Sequence, residues 1–203
     1  NTETSVESNK ETQGESEETT KEPEESADLT GKTVGMVTDT GGINDESFNQ
    51  TSWAGLNELE AKTGAKASYV QSEQEADYSA NLNQLVDANT DLVWGIGYLL
   101  AGSVETVSKQ APDTNFAVID NAYENPESLP NVTGVVFKAE QPSFLVGYIA
   151  GHTTKTNKVG FVGGMKGVVI DQFEYGYRAG VLEAAKELGK EITVDIQYAD
   201  SFN

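Results

Sequence analysis

Apolar segments of strand length alternate with amphipathic segments of helix length along almost the whole chain from Lys32 onward. The apolar runs predict strands at 32–38, 65–71, 91–96, 115–120, 132–137, 158–162 and 191–198. Apolar residues at helical spacing predict helices at 47–62, 78–86, 100–111, 141–153 and 172–188. Because strands that alternate with helices of about ten or more residues form parallel, doubly wound sheets, the pattern predicts an α/β fold.

The alternation is interrupted between residues 122 and 131, where two prolines stand among polar residues. Such a segment suits a crossover between two lobes. We therefore predict a first α/β lobe over residues 31–125 and a second over residues 126–203. The second lobe is expected to be incomplete, because it has only two central strands and two helices.

The N-terminal segment has a different composition. Residues 1–28 hold ten acidic residues and two lysines, and Val6 and Ala27 are their only aliphatic residues. Because so little apolar surface cannot offset the entropy of ordering, we predict that residues 1–30 form a disordered acidic tether. A solvated tail without a tethering role is the alternative. The net charge of the whole chain is −20, which repels phosphate backbones, so no nucleic-acid partner is expected.

The sequence lacks the residues that several classes of chemistry require. The chain has no cysteine, which excludes disulfides, thiolate metal sites and cysteine nucleophiles. The Gly41–Gly42 pair lacks the lysine of a phosphate loop, there is no Gly-x-Ser-x-Gly motif, and His152 is the sole histidine. We therefore predict a protein that is not an enzyme, with no catalytic residues, metal or cofactor.

The sequence offers two interpretations of where the protein resides. No apolar run reaches the roughly 20 residues that span a bilayer, and no signal peptide is visible. Either the protein is cytosolic or its numbering starts after processing. The tether-like N-terminal segment favours the second interpretation.

The segment from residue 34 to residue 50 has the layout of a ligand site. An apolar strand ends at Asp39, and Gly41–Gly42 lets the backbone turn before a helix begins. Ligands of open α/β sheets bind in the crevice outside the carboxyl ends of the strands, where this loop would lie. Asp39 is therefore expected to contact a ligand, and capping of the following turn is the alternative.

The start of the following helix supplies further candidates. Phe48 lies off the apolar stripe of the helix, so its ring is placed to stack on a planar ligand, and packing in the core is the alternative. Asn44, Asp45 and Asn49 are the polar candidates around this ring. Capping of the helix is the alternative for both Asn44 and Asp45, and for Asp45 it is at least as good an interpretation. A Ser residue at position 47 and a Gln residue at position 50 predict a capping box.

Similar features recur on a neighbouring strand and in the second half. Asp120 ends a predicted strand as Asp39 does, so the two carboxylates are expected to converge on one crevice. A second glycine pair, Gly163–Gly164, precedes Phe173 at a helix. We expect Phe173 to face Phe48 across a cleft, with a planar heterocycle between the rings. Core packing beside the neighbouring tyrosines is the alternative for Phe173.

Three segments together, in this order, resemble the basic membrane protein (BMP) lipoproteins, the purine nucleoside receptor group of ABC-transporter substrate-binding proteins. The segments are 38–50, 159–164 and 173–180. The resemblance covers residues 32–203 and implies a type I periplasmic-binding-protein fold whose two lobes close on inosine, guanosine or adenosine. It also implies a lipid anchor just before residue 1, a position on the extracytoplasmic face of the cell membrane, and delivery of the nucleoside to an ABC-type permease.

The resemblance further implies roles for individual residues. In the family the base lies between two phenylalanines, which match Phe48 and Phe173, and aspartates that match Asp39 and Asp120 lie at the base or loop edge. Asn44, Asp45 and Asn49 fall in the first segment and complete the predicted ligand-binding set. Members of the family are longer than this chain, so the ribose-contacting residues are expected beyond Asn203.

Three other functions compete with a nucleoside receptor. A ligand-sensing regulatory domain would share the fold, but it should carry a basic helix-turn-helix where this chain has an acidic segment. A binding protein for another small solute, such as a sugar, would share both fold and transport role. A nucleoside- or sugar-modifying enzyme would turn its ligand over, whereas a receptor returns it unchanged.

Overall fold

The computed structural model describes residues 27–200. Its strands are β1 Thr33–Val37, β2 Lys66–Val70, β3 Leu92–Gly95, β4 Asn115–Ile119, β5 Val132–Val135, β6 Lys158–Gly163 and β7 Thr193–Tyr198. Its α-helices are α1 Phe48–Thr63, α2 Tyr78–Asp87, α3 Ala101–Gln110, α4 Glu140–Thr153 and α5 Val168–Leu188. Apart from the start of α5, each boundary lies within two residues of its predicted position.

The predicted start of α5 at residue 172 is wrong, because the helix begins at Val168. Its first residues, Val168 to Ile170, are β-branched and therefore have weak intrinsic helix preference. The helix nevertheless includes these three residues.

The first sheet has five parallel strands in the order β2-β1-β3-β4-β5. One core cluster contains side chains of α2 and α3, and its members Leu82 and Val104 are fully buried. A second cluster contains Met36 of β1 and Leu56 of α1. Apolar side chains thus cover both faces of the sheet, which explains why its central strands are continuously apolar. The predicted parallel α/β fold is confirmed.

The predicted boundary between the lobes at residues 125 and 126 differs from the structure. β5 follows that boundary in the sequence, yet it pairs in parallel with β4, with Phe116 opposite Val132 and Ile119 opposite Val135. The chain therefore leaves the first sheet after Val135. The proline-containing segment that suggested a crossover between lobes instead connects two neighbouring strands of one sheet.

Residues 1–26 of the predicted tether lie outside the described residues. The last residues of the predicted tether belong to the folded part. The backbone N–H of Leu29 donates to the carbonyl oxygen of Thr63 at 2.8 Å. The carbonyl oxygen of Leu29 accepts from the backbone N–H of Lys32 at 2.9 Å. Tethering by the preceding residues stays a prediction.

The second half pairs β6 and β7 in parallel and packs α4 tightly against α5. Glycines spaced four residues apart, Gly147 and Gly151 on α4 and Gly176 and Gly180 on α5, line this contact. A Cβ atom on Gly180 would collide with the carbonyl oxygen of Phe144. The two helix backbones therefore touch, an arrangement that only small residues permit. Among residues 27–200, no helix combines the length and apolar character that crossing a bilayer requires.

We expect Gly180→Ala to lower the free energy of unfolding by about 1–3 kcal/mol, because the added methyl group must push two helix backbones apart. Urea unfolding followed by circular dichroism measures the change. Gly55→Ala is the matched control, since a Cβ atom on Gly55 in α1 meets nothing within 4 Å. That variant should be more stable by about 0.5–1 kcal/mol through helix propensity alone. Equal effects at both positions would contradict the close helix contact.

Candidate functional site

The candidate site lies at the carboxyl edge of the first sheet, where all five parallel strands end. In a doubly wound sheet of this order, the crevice opens where the crossover helices diverge between β1 and β3. Asp39 follows β1 at this point, and Gly97 follows β3. A Cβ atom on Gly97 would lie 3.8 Å from Oδ2 of Asp39, so the two loops meet there.

The Asp39 carboxylate is held on one side only. Its Oδ1 accepts hydrogen bonds from the backbone N–H of Gly41 at 2.8 Å and from Nδ2 of Asn49 at 2.7 Å. Its Oδ2 has no hydrogen-bond partner within the described part of the chain. Oδ1 thus stabilises the turn, as the alternative interpretation of Asp39 held, while contact of Asp39 with a ligand stays a prediction.

Asn49, predicted as a ligand contact, is fully buried and links two carboxylates. Its Nδ2 donates to Oδ1 of Asp39 at 2.7 Å and to Oδ2 of Asp45 at 2.9 Å, and its Oδ1 accepts from the backbone N–H of Asp39 at 3.3 Å. Both donor hydrogens and the carbonyl oxygen of the amide are therefore engaged. In this geometry Asn49 positions Asp39, and direct contact with a ligand stays a prediction.

Asp45 caps α1, as its alternative interpretation held. Its Oδ1 accepts from the backbone N–H groups of Ser47 at 2.9 Å and Gln50 at 3.0 Å, while its Oδ2 accepts from that of Asn49 at 3.0 Å. Burial acts to raise the pKa of Asp45, but these hydrogen bonds together hold it below its usual value.

The predicted capping box is wrong, because the Ser47 side chain makes no capping hydrogen bond. Oε1 of Gln50 instead accepts from the backbone N–H of Glu46 at 3.1 Å. Asp45 already supplies the acceptors that the first turn needs. Asn44 is exposed in the same loop.

Both candidate aromatic side chains are open to solvent. Phe48 is 48% exposed and Phe173 is 37% exposed, so neither is a core residue. The start of α5 carries Phe173, and Oγ of Ser143 in α4 donates to the Phe173 carbonyl oxygen at 2.7 Å. No ring contact joins the two phenylalanines among the residues described. Their apposition across a cleft stays a prediction.

Asp120 lines a cavity of about 780 Å³, a volume within the range of small-molecule sites. It has a positive φ of 63°, and its backbone N–H donates to the carbonyl oxygen of Val135 at 2.8 Å. Burial raises the pKa of Asp120. A non-glycine residue in this conformation costs about 1–2 kcal/mol, so the turn is strained where its carboxyl group enters the cavity.

Other lining residues were not predicted from the sequence. The first half contributes Tyr98 and Tyr123, and the β6–α5 loop contributes Met165 and Lys166. Oη of Tyr123 donates to the carbonyl oxygen of Ala101 at 2.9 Å, and burial followed by the charge of Glu105 raises its pKa to about 12. Tyr98 lies three residues after the end of β3, so its position shortly after a strand was the sequence signal that could have placed it at this edge of the sheet. Of the predicted ligand-binding residues, Asp120 is among the described lining residues, whereas Asp39, Phe48 and Phe173 are not.

A buried carboxylate anchors the start of α5 beside Phe173. Oε2 of Glu174 accepts from the Tyr198 hydroxyl at 2.6 Å, and its Oε1 accepts from Nη1 of Arg178 at 3.0 Å. The Tyr198 hydrogen bond, followed by Arg178, lowers the pKa of Glu174 against the effect of burial. The same bond raises the pKa of Tyr198 to about 12. The end of β7 is thereby joined to the helix that carries the second aromatic candidate.

Known proteins match this chain over nearly all of its described length. The family model described as "ABC transporter substrate-binding protein PnrA-like" matches residues 32–203. Similar proteins include a "CD4+ T-cell-stimulating antigen" of Listeria monocytogenes, 49% identical over 84% of this chain and 47% of its own length. The "ABC transporter nucleoside-binding protein BmpA" of Lactococcus lactis is 40% identical over 83% of this chain and 47% of its own length.

Solved structures agree on the fold. A solute-binding protein of an ABC transporter system from Aeropyrum pernix K1 has a TM-score of 0.70 and 24% identity, covering 82% of this chain and 47% of its own. A transcriptional activator of the comK gene from Bacillus halodurans has a TM-score of 0.60 and 20% identity, covering 82% of this chain and 53% of its own. The fold is therefore shared by transport proteins and regulators. The chain spans about half the length of the relatives that it matches.

We expect Asp45→Ala to lower the free energy of unfolding at neutral pH by about 0.5–2 kcal/mol, the usual cost of losing an N-terminal cap. Because the pKa of Asp45 is lower in the folded state, its contribution is fully present above the unfolded value of about 3.9 and is lost as the pH falls through the folded value. Chemical unfolding at a series of pH values tests this.

The stability difference between wild type and Asp45→Ala should therefore narrow in acid. Asp113→Ala, on the exposed α3–β4 turn, is the control and should change stability by less than about 0.5 kcal/mol. A difference that stays constant down to acid pH would show that the ionised carboxylate does not hold the helix start.

Proposed function

Because the chain belongs to the PnrA-like family of ABC transporter substrate-binding proteins, we propose that it captures a purine nucleoside and delivers it to an ABC-type permease. Inosine, guanosine and adenosine are the proposed ligands. Capture takes place between the carboxyl edge of the first sheet and the start of α5, and the ligand leaves unaltered. Family membership agrees with the resemblance of the three sequence segments.

The exposed ring of Phe48 is the main observation that supports the proposal. Asp45 and Asn49 hold the residues around it through half-buried hydrogen bonds, yet the ring itself stays 48% exposed. A rigidly mounted aromatic ring loses little entropy on binding and offers a flat apolar face. Phe173, mounted on α5 beside the Glu174 anchor, offers a second such face. Two faces of this kind suit a planar heteroaromatic base.

The two strand-end aspartates supply acceptors for the edge of the base. Purine bases and ribose carry N–H and O–H donors, and Oδ2 of Asp39 is left without a partner by the surrounding loop. Asp120 follows β4, which is separated from β1 by β3 in the sheet, and it lines the cavity. Carboxylate acceptors bind N–H donors more strongly than neutral acceptors do, particularly where water is excluded. The relative from Lactococcus lactis, whose name states nucleoside binding, supports this ligand class.

The remaining part of the proposal concerns location. We place the protein on the extracytoplasmic face of the cell membrane, held by a lipid anchor that precedes residue 1. The acidic residues before the first strand would then act as the tether between anchor and receptor. Relatives named basic membrane protein A, such as that of Borreliella burgdorferi at 38% identity, support an association with the membrane.

Calorimetric titration of the full-length protein with a panel of solutes tests the proposed function. Inosine, guanosine and adenosine should each be compared with a pyrimidine nucleoside, a hexose and an amino acid. We expect heat of binding with at least one purine nucleoside, and recovery of the unchanged nucleoside after release. Heat with only the hexose or the amino acid would overturn the assignment, and release of free base would indicate an enzyme.

Phe48→Ala should weaken purine nucleoside binding about 5- to 150-fold, because base stacking on an aromatic ring contributes about 1–3 kcal/mol. The melting temperature should stay near that of the wild type, since the ring is half exposed. Phe116→Ala is the comparison, because Phe116 is 1% exposed and its truncation should cost about 3–5 kcal/mol of stability. If Phe48→Ala unfolds as readily as Phe116→Ala, the ring is structural and the stacking role is wrong.

A further inference from the structure

The cavity beside Asp120 is lined by several carboxyl groups and by one basic side chain. Glu105, Asp120 and Glu124 contribute the carboxyl groups, whereas Lys166 is the one basic residue among the described lining residues. An ionised carboxylate only accepts hydrogen bonds, and an ammonium group only donates them. Lys166 is therefore the one charged donor that this part of the chain presents to the cavity.

The ammonium group of Lys166 lies over an aromatic ring. Its Nζ is 5.2 Å from the centroid of the Tyr198 ring, within the range of a cation–π contact. The ring is itself fixed, because the Tyr198 hydroxyl donates to Oε2 of the buried Glu174 at 2.6 Å. Its Cε1 also lies only 2.8 Å from where a Cβ atom on Gly163 would be. The ring contact limits the positions of the ammonium group but supplies no hydrogen-bond acceptor.

Folding alone does not account for a lysine at this position. Within residues 27–200, Lys166 forms no hydrogen bond and no ion pair. It directly precedes Gly167, the N-cap residue of α5. A positive charge at that end of a helix opposes the helix dipole, so the lysine does not help α5 to form. Its three N–H donors are left for solvent or for a ligand.

We propose that Lys166 is a ligand-binding residue that determines specificity, because its ammonium group donates a hydrogen bond to an acceptor atom of the captured solute. This inference rests on the proposed function, since it takes the cavity as part of the capture site. Purine bases and ribose carry acceptors as well as donors. The carboxylates of Asp39 and Asp120 bind only the donors. Lys166 supplies the complementary contact, and it does so from the second half of the chain.

The mounting of Lys166 favours such a contact. A lysine side chain loses much rotamer freedom when it is ordered, and this loss weakens binding. The contact with the Tyr198 ring already restricts the side chain in the ligand-free protein, so less freedom is lost when a ligand arrives. A hydrogen bond from a charged donor is also stronger than one between neutral groups. Lys166 should therefore contribute measurably to affinity although it is exposed.

Lys166→Met in the full-length protein tests the proposal. Methionine keeps an unbranched stem but has neither the charge nor the N–H donors. Affinity for the purine nucleoside that wild type binds most tightly should fall about tenfold or more, the effect of one lost hydrogen bond to a charged group. The melting temperature without ligand should stay near that of wild type, because the side chain is exposed and has no ion pair. Isothermal titration and differential scanning calorimetry measure the two quantities.

Lys155→Met is the matched control. It removes the same charge from the exposed turn between α4 and β6, and Lys155 is not among the described lining residues of the cavity. Its affinity for the nucleoside should equal that of wild type. Equal weakening in the Lys155 and Lys166 variants would overturn the inference, because the effect would then come from net charge.

Nucleoside analogues that each lack one acceptor test whether the contact is direct. Deaza and 6-unsubstituted forms remove the acceptors of the base in turn, and deoxy and carbocyclic forms remove those of the ribose. One analogue should bind wild type about tenfold more weakly than the parent nucleoside does. The same analogue should bind Lys166→Met about as well as the parent does, because the variant already lacks the donor. Equal affinity ratios in both proteins for every analogue would overturn the inference, since Lys166 would then contact no ligand acceptor.

Failure of this inference and failure of the proposed function give different results. Unchanged affinity in Lys166→Met, with nucleoside binding intact in wild type, overturns the role of Lys166 and leaves the proposed function standing. If wild type binds another solute of the panel, the proposed ligand is wrong and the affinity ratio for that solute decides the role of Lys166. If wild type binds no solute, both proposals fail.

Discussion

The parallel pairing of β1 with both β2 and β3 is the constraint on which the candidate site depends. It places α1 on one face of the sheet and α2 and α3 on the other, so that the loops after β1 and β3 separate at the carboxyl edge. Asp39 and Gly97 lie where the two loops come close together, before they lead to opposite faces of the sheet. The crevice is thus a consequence of strand order, and its lining comes from the residues that happen to follow the strands.

A chain of hydrogen bonds makes the loop after β1 rigid while leaving its functional groups free. Asn49 joins Asp39 to Asp45, and Asp45 in turn closes the first turn of α1. The acceptor Oδ2 of Asp39 and the ring of Phe48 take no part in this bonding. Because the loop is already ordered, a ligand that uses these groups loses less of its binding free energy to ordering them.

The two halves of the described chain are stabilised in different ways. Helices cover both faces of the first sheet, whereas the second half depends on the backbone contact between α4 and α5 and on the Glu174 network. Large apolar side chains such as Leu145, Ile149 and Leu182 remain exposed on these helices. The first half is consequently the frame of the site, and the start of α5 is attached to β7 through Tyr198.

The sequence by itself determined the class of fold, the bounds of nearly all elements and the family, because apolar periodicity and contiguous motifs are local properties that each segment carries alone. Only the tertiary structure decided that β5 completes the first sheet, that Asp45 caps α1 and that Asn49 is buried between two carboxylates. The pairing of β5 and the bond from Asn49 to Asp39 depend on which separate segments meet, whereas the cap of α1 is a local choice among the polar residues 45–50. A pairing partner for a strand, or a second acceptor for a buried amide, exists only once separate parts of the chain have packed together, and no spacing within one segment specifies it.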